Sequence, residues 1–460
     1  MPARVALINL GCPKNLVDAE VMSAHLLSDC FELTSDPEDA EVIVVNTCGF
    51  LEASSQEAVD ALLEAAEQKR IGRCRAVIGV GCMVQRYRDS VAAALPEVDG
   101  FLGTGQAAEL PGLARRVLAG QREARISGPA AGFESYIRRL PSGPQATAYV
   151  KVSEGCDRRC SFCAIPGIRG PMVSRRADDI VREVEGLTAA GVREVILIGQ
   201  DPNRYGLDGD GPGMVPLLER LCEVERLRWL RLMYLFPDRR LEPILEAVAR
   251  LPKVCDYVDV PFQHAAPQLL RAMNRPGSGQ EYLRLVQNLR RTSADLAWRS
   301  TFIVGFPGET EAQFQQVLDF LEAAELDWAG AFVYSSEEGT PARSLPGAIP
   351  AALGARRYDT LRRRQQAITQ RRLRRWVGRE TEVLLTEVNQ VEWRGRTPQQ
   401  APEVDGLTRL QPGSFAARPG DFVTARITGT TQYDLCGVAL RVTQPAEAPA
   451  GALMQLAMAG

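Results

Sequence analysis

Gly155-Cys156-Asp157-Arg158-Arg159-Cys160-Ser161-Phe162-Cys163 follows an apolar run and sets three cysteines at C-x3-C-x2-C spacing within eight residues. Thiolates this close can ligate one cluster of irons, and no fourth cysteine follows nearby. Electron-transfer cubanes are held by four cysteines, so three leave one iron open to a ligand. Catalytic zinc follows the same logic, keeping one coordination position free. A structural zinc site would need a further Cys or His near Cys163, and the next histidine is His264. A disulfide framework suits neither the odd cysteine count nor the rest of the composition.

The chain around this loop has 460 residues, room for about three domains. Its 45% apolar and 24% charged residues are the mix of a soluble globular protein. With 54 Lys+Arg against 57 Asp+Glu the net charge is −3, so no global field draws it to nucleic acid. No apolar run approaches the ~18 residues of a membrane span, and no membrane partner is expected. The opening Met-Pro-Ala-Arg-Val-Ala-Leu-Ile-Asn-Leu reads as a first strand rather than a signal peptide. Eleven cysteines without an export signal point to a reducing compartment, and the chain reads as cytoplasmic.

Upstream, residues 1–125 alternate apolar strands (Val5–Leu10, Val42–Asn46, Ala76–Val80) with helical periodicity over Leu16–Leu27 and Gln56–Ala66. That alternation predicts a parallel sheet covered by helices. Each strand runs directly into a cysteine, at Gly11-Cys12, Thr47-Cys48 and Gly81-Cys82. Ligands of such sheets bind beyond the carboxyl ends of the strands, so Cys12, Cys48 and Cys82 are expected to meet as a second three-thiolate site. Cysteine is among the most buried residue types, and one such placement would mean only packing. Three in equivalent positions, two of them after glycine, favour a site. Cys30, Cys74, Cys222, Cys255 and Cys436 share no register and read as packed or incidental thiols.

Residues 126–145, rich in Gly, Pro and Ser, have the composition of a linker. Residues 146–375 alternate again, with strands expected at Ala148–Val152, Glu194–Ile198, Leu230–Leu235, Tyr257–Val260, Ser300–Val304 and Ala331–Tyr334. Six βα units predict an incomplete parallel barrel, whose active site belongs at the carboxyl ends of its strands. The Cys156 loop follows the first strand and obeys that rule. Gln200, Gly305 and His264 stand at other strand ends; His264 reads first as a satisfied packing residue.

Residues 356–375 carry nine arginines and one acid, Asp359, on a sparse apolar stripe. This basic helix reads either as a solvated face or as a contact to RNA phosphate. Beyond it, residues 376–446 show short alternating strands (Thr381–Thr386, Phe422–Ile427, Val438–Val442), expected to close as a small all-β barrel of the oligonucleotide-binding kind. From 377 to 460 there are seven Lys+Arg and nine Asp+Glu, which argues for a protein or mixed target over nucleic acid alone. Residues 447–460 read as a disordered tail.

The three-cysteine loop, with an aromatic before its last cysteine, resembles the radical S-adenosylmethionine (SAM) enzymes. Nearly the whole chain resembles the methylthiotransferases, with a three-cysteine amino-terminal domain, a radical-SAM core and a TRAM barrel. Leu10-Gly11-Cys12-Pro13-Lys14-Asn15 with Asp18 and Glu20, Asn46-Thr47-Cys48-Gly49-Phe50, Gly81-Cys82-Met83, and Arg396-Thr397-Pro398-Gln399 through Asp405-Gly406 are similar to the branch acting on the twelfth small-subunit ribosomal protein. The transfer-RNA branch differs at the first of these, with Gln-Met for Pro-Lys, and Gly167-Ile168 departs from the family pattern without touching a ligand. The resemblance implies two [4Fe-4S] clusters, one on Cys156, Cys160 and Cys163 that binds SAM, and one on Cys12, Cys48 and Cys82 that supplies or carries sulfur. It implies SAM contacts at Phe162, Gln200 and Gly305. It further implies methylthiolation of the β-carbon of an aspartate, on the free ribosomal protein or within the ribosome, with flavodoxin or ferredoxin as electron donor. The alternatives are a transfer-RNA adenosine 2-methylthiotransferase and a non-enzymatic iron–sulfur redox or RNA-binding protein.

Overall fold

Apolar strands buried on both faces need helices on both sides, and the first domain meets that demand. In the computed structural model, which describes residues 2–128, 139, 142, 146–209, 211–446 and 457–458, its parallel sheet runs in the order Glu32–Thr34, Arg4–Asn9, Val42–Thr47, Ala76–Gly81, Gly100–Leu102, Glu123–Arg125. Ile43, Val45 and Val77 pack against Ala58 and Leu62 of helix Glu52–Ile71 on one face. Val42, Val44 and Ile78 pack against Met22 and Leu26 of helix Pro13–Ser28 on the other. The three strands expected from sequence are direct neighbours, in register through Val5↔Val42 and Val42↔Ala76. The added strands Glu32–Thr34, Gly100–Leu102 and Glu123–Arg125 have three residues each, too few to show a period.

The core has the expected six parallel strands, as two three-stranded sheets: Thr147–Lys151, Glu194–Ile198 and Trp229–Leu232, then Tyr257–Asp259, Ala297–Val304 and Trp328–Val333. Leu235 N donates to Asp259 O over 2.9 Å and carries the curve from one sheet to the other. Val150, Leu197, Leu232, Val258 and Phe302 share one hydrophobic core with the outer helices. The result is a barrel open along one side.

The basic helix spans Ala351–Leu373. Much of its charge is turned onto the protein itself. Arg357 reaches the buried Glu309, Arg364 and Arg371 reach Glu322, and Arg372 pairs with Asp327, as does Arg375 just beyond the helix. Leu361 and Ile368 seat the helix on the core.

The carboxy-terminal strands close into a five-stranded barrel in the order Glu380–Val388, Trp393–Arg396, Thr408–Gln411, Leu435–Gln444, Phe422–Thr430. It docks at the amino ends of the core strands. Arg396 reaches into the core and places Nη1 3.2 Å from Glu194 Oε1, while Arg231 places Nε 2.9 Å from the same oxygen. Tyr257 Oη donates to Asp405 Oδ2 over 2.7 Å, and Trp328 Nε1 donates to the Gln399 carbonyl over 2.9 Å. The Arg396–Asp405 motif therefore plugs the barrel at the end away from the Cys156 loop.

Most of the expected linker and of the expected disordered tail lies outside the described residues. Within the linker, the buried Arg139 donates to Glu183 Oε1 over 2.6 Å and also meets Glu20. Within the tail, Ala457–Met458 forms a two-residue strand beside Ile8–Asn9.

Candidate functional site

The three strand-end loops of the first domain are tied together by one side chain. Asn15 donates from Nδ2 to the Leu10 carbonyl at 3.0 Å and the Thr47 carbonyl at 3.1 Å. Its Oδ1 lies 3.9 Å from Cys12 Sγ and 3.6 Å from Cys82 Sγ. Gly11 has φ +94°, and a Cβ there would stand 2.8 Å from Cys48 Cβ, so only glycine lets the first loop approach the second. Cys12, Cys48 and Cys82 thus gather at one sheet edge, as the strand-end register predicts.

In the core, Gly155 (φ +75°) lets the cysteine loop fold against Pro171, whose carbonyl would lie 2.0 Å from an added Cβ. Cys156 N donates to the Gly170 carbonyl at 3.0 Å, and Ser161 N to that of Met273, also at 3.0 Å.

Both triads line a single cavity of about 380 Å³ between the two domains. No cysteine is disulfide-bonded. Among the described residues no three Cys, His, Asp or Glu side chains converge on a point fit for one metal ion; the thiols ring a volume. N–H donors face the sulfurs: Arg169 Nη2 lies 3.0 Å from Cys82 Sγ, Arg158 N 3.4 Å from Cys156 Sγ, and Arg275 Nη1 3.9 Å from Cys160 Sγ. This donor set fits iron–sulfur clusters, whose sulfurs are tuned by such hydrogen bonds. Burial pushes the Cys82 and Cys163 thiols up to about 12 and Cys156 to about 11. Ligation requires thiolates, so loading iron must release protons.

The domain junction is polar and closed. Arg169 Nη1 lies 2.8 Å from Asp18 Oδ2 and 3.3 Å from Glu154 Oε2, and Lys151 Nζ lies 2.5 Å from Asp18 Oδ1. Burial alone would raise the Glu154 carboxyl, but Arg169 and Lys151 outweigh it and hold it at about 2. Arg86 meets Glu337 at 2.9 Å across the same junction.

Phe162 and Gln200 line the cavity as expected. Gln200 Nε2 donates to Glu154 Oε1 over 2.6 Å, and its buried Oε1 has no partner among the described residues. Gly305 is not among the lining residues. Its N–H is taken by the Glu309 carboxylate at 2.5 Å, and helix Ala351–Leu373 crowds its other side at Gly354. His264 is a packing residue: fully buried, 3.1 Å from Glu309 Oε1 through Nε2 and accepting from Ala266 N at Nδ1. Residues not foreseen as site members include Lys14, Asn15, Arg158, Arg169, Tyr234 and Arg275. The charge of Lys14, within the quoted Pro13-Lys14 motif, was a signal for one of them. The others are unexceptional in sequence.

Comparison with known proteins agrees with each part of this architecture. Residues 150–321 match the Radical SAM superfamily, residues 4–103 the Uncharacterized protein family UPF0004, and residues 377–440 the TRAM domain. A solved structure of the radical S-adenosylmethionine methyltransferase TsrM from Kitasatospora setae has the same fold, with a TM-score of 0.57 at 15% identity over 80% of this chain and 89% of that one. The protein is thus a radical-SAM enzyme with a TRAM barrel. Ribosomal protein uS12 methylthiotransferase RimO of Pelotomaculum thermopropionicum is 42% identical over 95% of this chain and 99% of its own length. RimO of Symbiobacterium thermophilum is 43% identical over 95% and 91%. The chain belongs to the RimO family of radical-SAM methylthiotransferases, enzymes that use SAM and [4Fe-4S] clusters. No helix among the described residues is long and apolar enough to cross a membrane.

Proposed function

We propose that the enzyme adds a methylthio group to the β-carbon of an aspartate in ribosomal protein uS12, in the cytoplasm, with flavodoxin or ferredoxin as electron donor. The observation that carries this reading is the single cavity lined by all six cysteines. Cys156, Cys160 and Cys163 would hold one cluster and Cys12, Cys48 and Cys82 the other, each with an open iron. When bound, these groups and SAM supply a radical able to break an unactivated carbon–hydrogen bond and the sulfur to replace it. The chain's own part is to orient and enclose. Gln200 presents its amide oxygen, unpartnered among the described residues, beside the Cys156 loop, suited to an ammonium such as that of methionine. Phe162 offers an apolar wall. Asn15 and Arg169 fix the Cys12 side of the cavity against the core.

Anaerobically reconstituted enzyme given uS12 and SAM is expected to yield uS12 heavier by one methylthio group. Modification of adenosine in transfer RNA with none on uS12 would overturn the reading. The exposed Arg356, Arg362 and Arg363 of the basic helix have no carboxylate partner among the described residues and could meet ribosomal RNA around uS12.

A further inference from the structure

Four cationic side chains line the cavity: Lys14, Arg158, Arg169 and Arg275. Arg158 is committed to Asp201 at 2.6 Å and Asp238 at 2.5 Å. Arg169 is committed to Asp18, Glu154 and Asn15. Arg275 donates to the Pro261 carbonyl and faces Cys160. Lys14 differs. Among the described residues its ammonium has no hydrogen bond and no ion pair; it sits 3.5 Å from the centroid of the Tyr234 ring.

That arrangement is built across the domain junction. Lys14 enters from the amino-terminal helix Pro13–Ser28, two residues after Cys12. Tyr234 stands on the opposite wall, just beyond core strand Trp229–Leu232. Its backbone is held at φ +66°, which a bulky L-residue adopts only when its surroundings impose it. Its N–H is fixed by Asp259 Oδ2 at 3.1 Å. The ring attracts the cation but offers no acceptor, so three N–H donors remain for a ligand. The Glu154 and Asp259 carboxylates act on this ammonium only through space, and a ligand carboxylate would give it the direct partner it lacks.

We infer that Lys14 anchors the carboxylate of the substrate side chain, making the cavity select an acidic residue over its amide. The inference rests on the reading of the chain as a uS12 methylthiotransferase and deepens it. A carboxylate held on Lys14 leaves the adjoining carbon in the cavity that both triads line, where hydrogen must be removed and sulfur delivered. Lys14 is a specificity-determining residue here.

The test uses reconstituted holoenzyme and two forms of uS12, one with the target aspartate and one with asparagine in its place. Equilibrium binding and turnover are measured for each. Wild-type enzyme is expected to bind the aspartate form roughly 10- to 100-fold more tightly, the range of a charge-assisted hydrogen bond. Lys14→Met is expected to abolish that preference by weakening the aspartate form alone, and Lys14→Arg to restore most of it. Iron content and cluster absorption report whether each variant is intact, and Lys14→Gln carries the same comparison if Lys14→Met loses iron. An intact variant without the lysine charge that keeps the preference overturns the inference, as does weakened SAM binding with the preference unchanged. If wild-type enzyme modifies transfer RNA and not uS12, the functional reading fails first and the inference with it.

Discussion

Arg169 of the core donates from Nη2 to Cys82 Sγ of the first domain across 3.0 Å, while its Nη1 holds Asp18 of that same domain at 2.8 Å. One guanidinium therefore supports a candidate cluster ligand and latches two domains. Replacing it with methionine would leave Glu154, on the core side, without its strongest counter-charge. Removing one partner of a buried pair costs roughly 3 kcal/mol. Arg169→Met should lower the thermal midpoint and selectively lose the iron held on the Cys12 side. Full iron and an unchanged midpoint would show the latch to be idle.

The two triads should separate cleanly. Cys12→Ala/Cys48→Ala/Cys82→Ala enzyme is expected to keep about half of the roughly eight irons of two cubanes and still release 5′-deoxyadenosine from SAM. Cys156→Ala/Cys160→Ala/Cys163→Ala enzyme should keep the other half and cleave no SAM. Iron analysis with chromatography of the nucleoside decides it. SAM cleavage surviving the second set would refute the assignment of the radical cluster.

The TRAM barrel is held by a buried charge, Glu194, fully enclosed between Arg396 and Arg231. Glu194→Gln keeps the shape and removes the charge, leaving two buried guanidiniums uncompensated at a cost on the order of 3 kcal/mol. Limited proteolysis should release the segment after Trp376 from this variant and spare it in the wild type.

The same junction sets opposing pH dependences. Burial alone would raise Glu194, but Arg396 and Arg231 outweigh it and hold it at about 2. A depressed carboxylate contributes stability that is present above its unfolded value of about 4.3 and lost as pH falls towards 2. Asp405 is raised to about 6 by burial, against the pull of Arg299. It favours its protonated form in the fold, so its contribution grows as pH drops from about 6 to about 4. Unfolding midpoints should show a shallow gain as pH falls towards 4 that is reduced in Asp405→Asn, and a steep loss below pH 4 that is blunted in Glu194→Gln. A profile unchanged by either substitution would contradict the assignment.

Much of this molecule is legible along the chain because it rests on local rules. Apolar periodicity located the strands now seen at Arg4–Asn9, Val42–Thr47, Ala76–Gly81 and across the core. Cysteine at the end of each of three parallel strands implied a shared sheet edge, since neighbouring strands in register end together. The short strands Trp393–Arg396 and Thr408–Gln411 escaped because only barrel closure makes them strands.

What sequence by itself determined, then, are the two thiol triads and the three-domain order, because spacing and periodicity act over a few residues. Tertiary structure alone decided that the triads face one cavity, that Lys14 meets Tyr234, that Gly305 stands aside, and that much of the basic helix grips its own core. Those outcomes depend on how separately folded layers dock, and docking is set by packing and charge pairing between residues far apart in the chain.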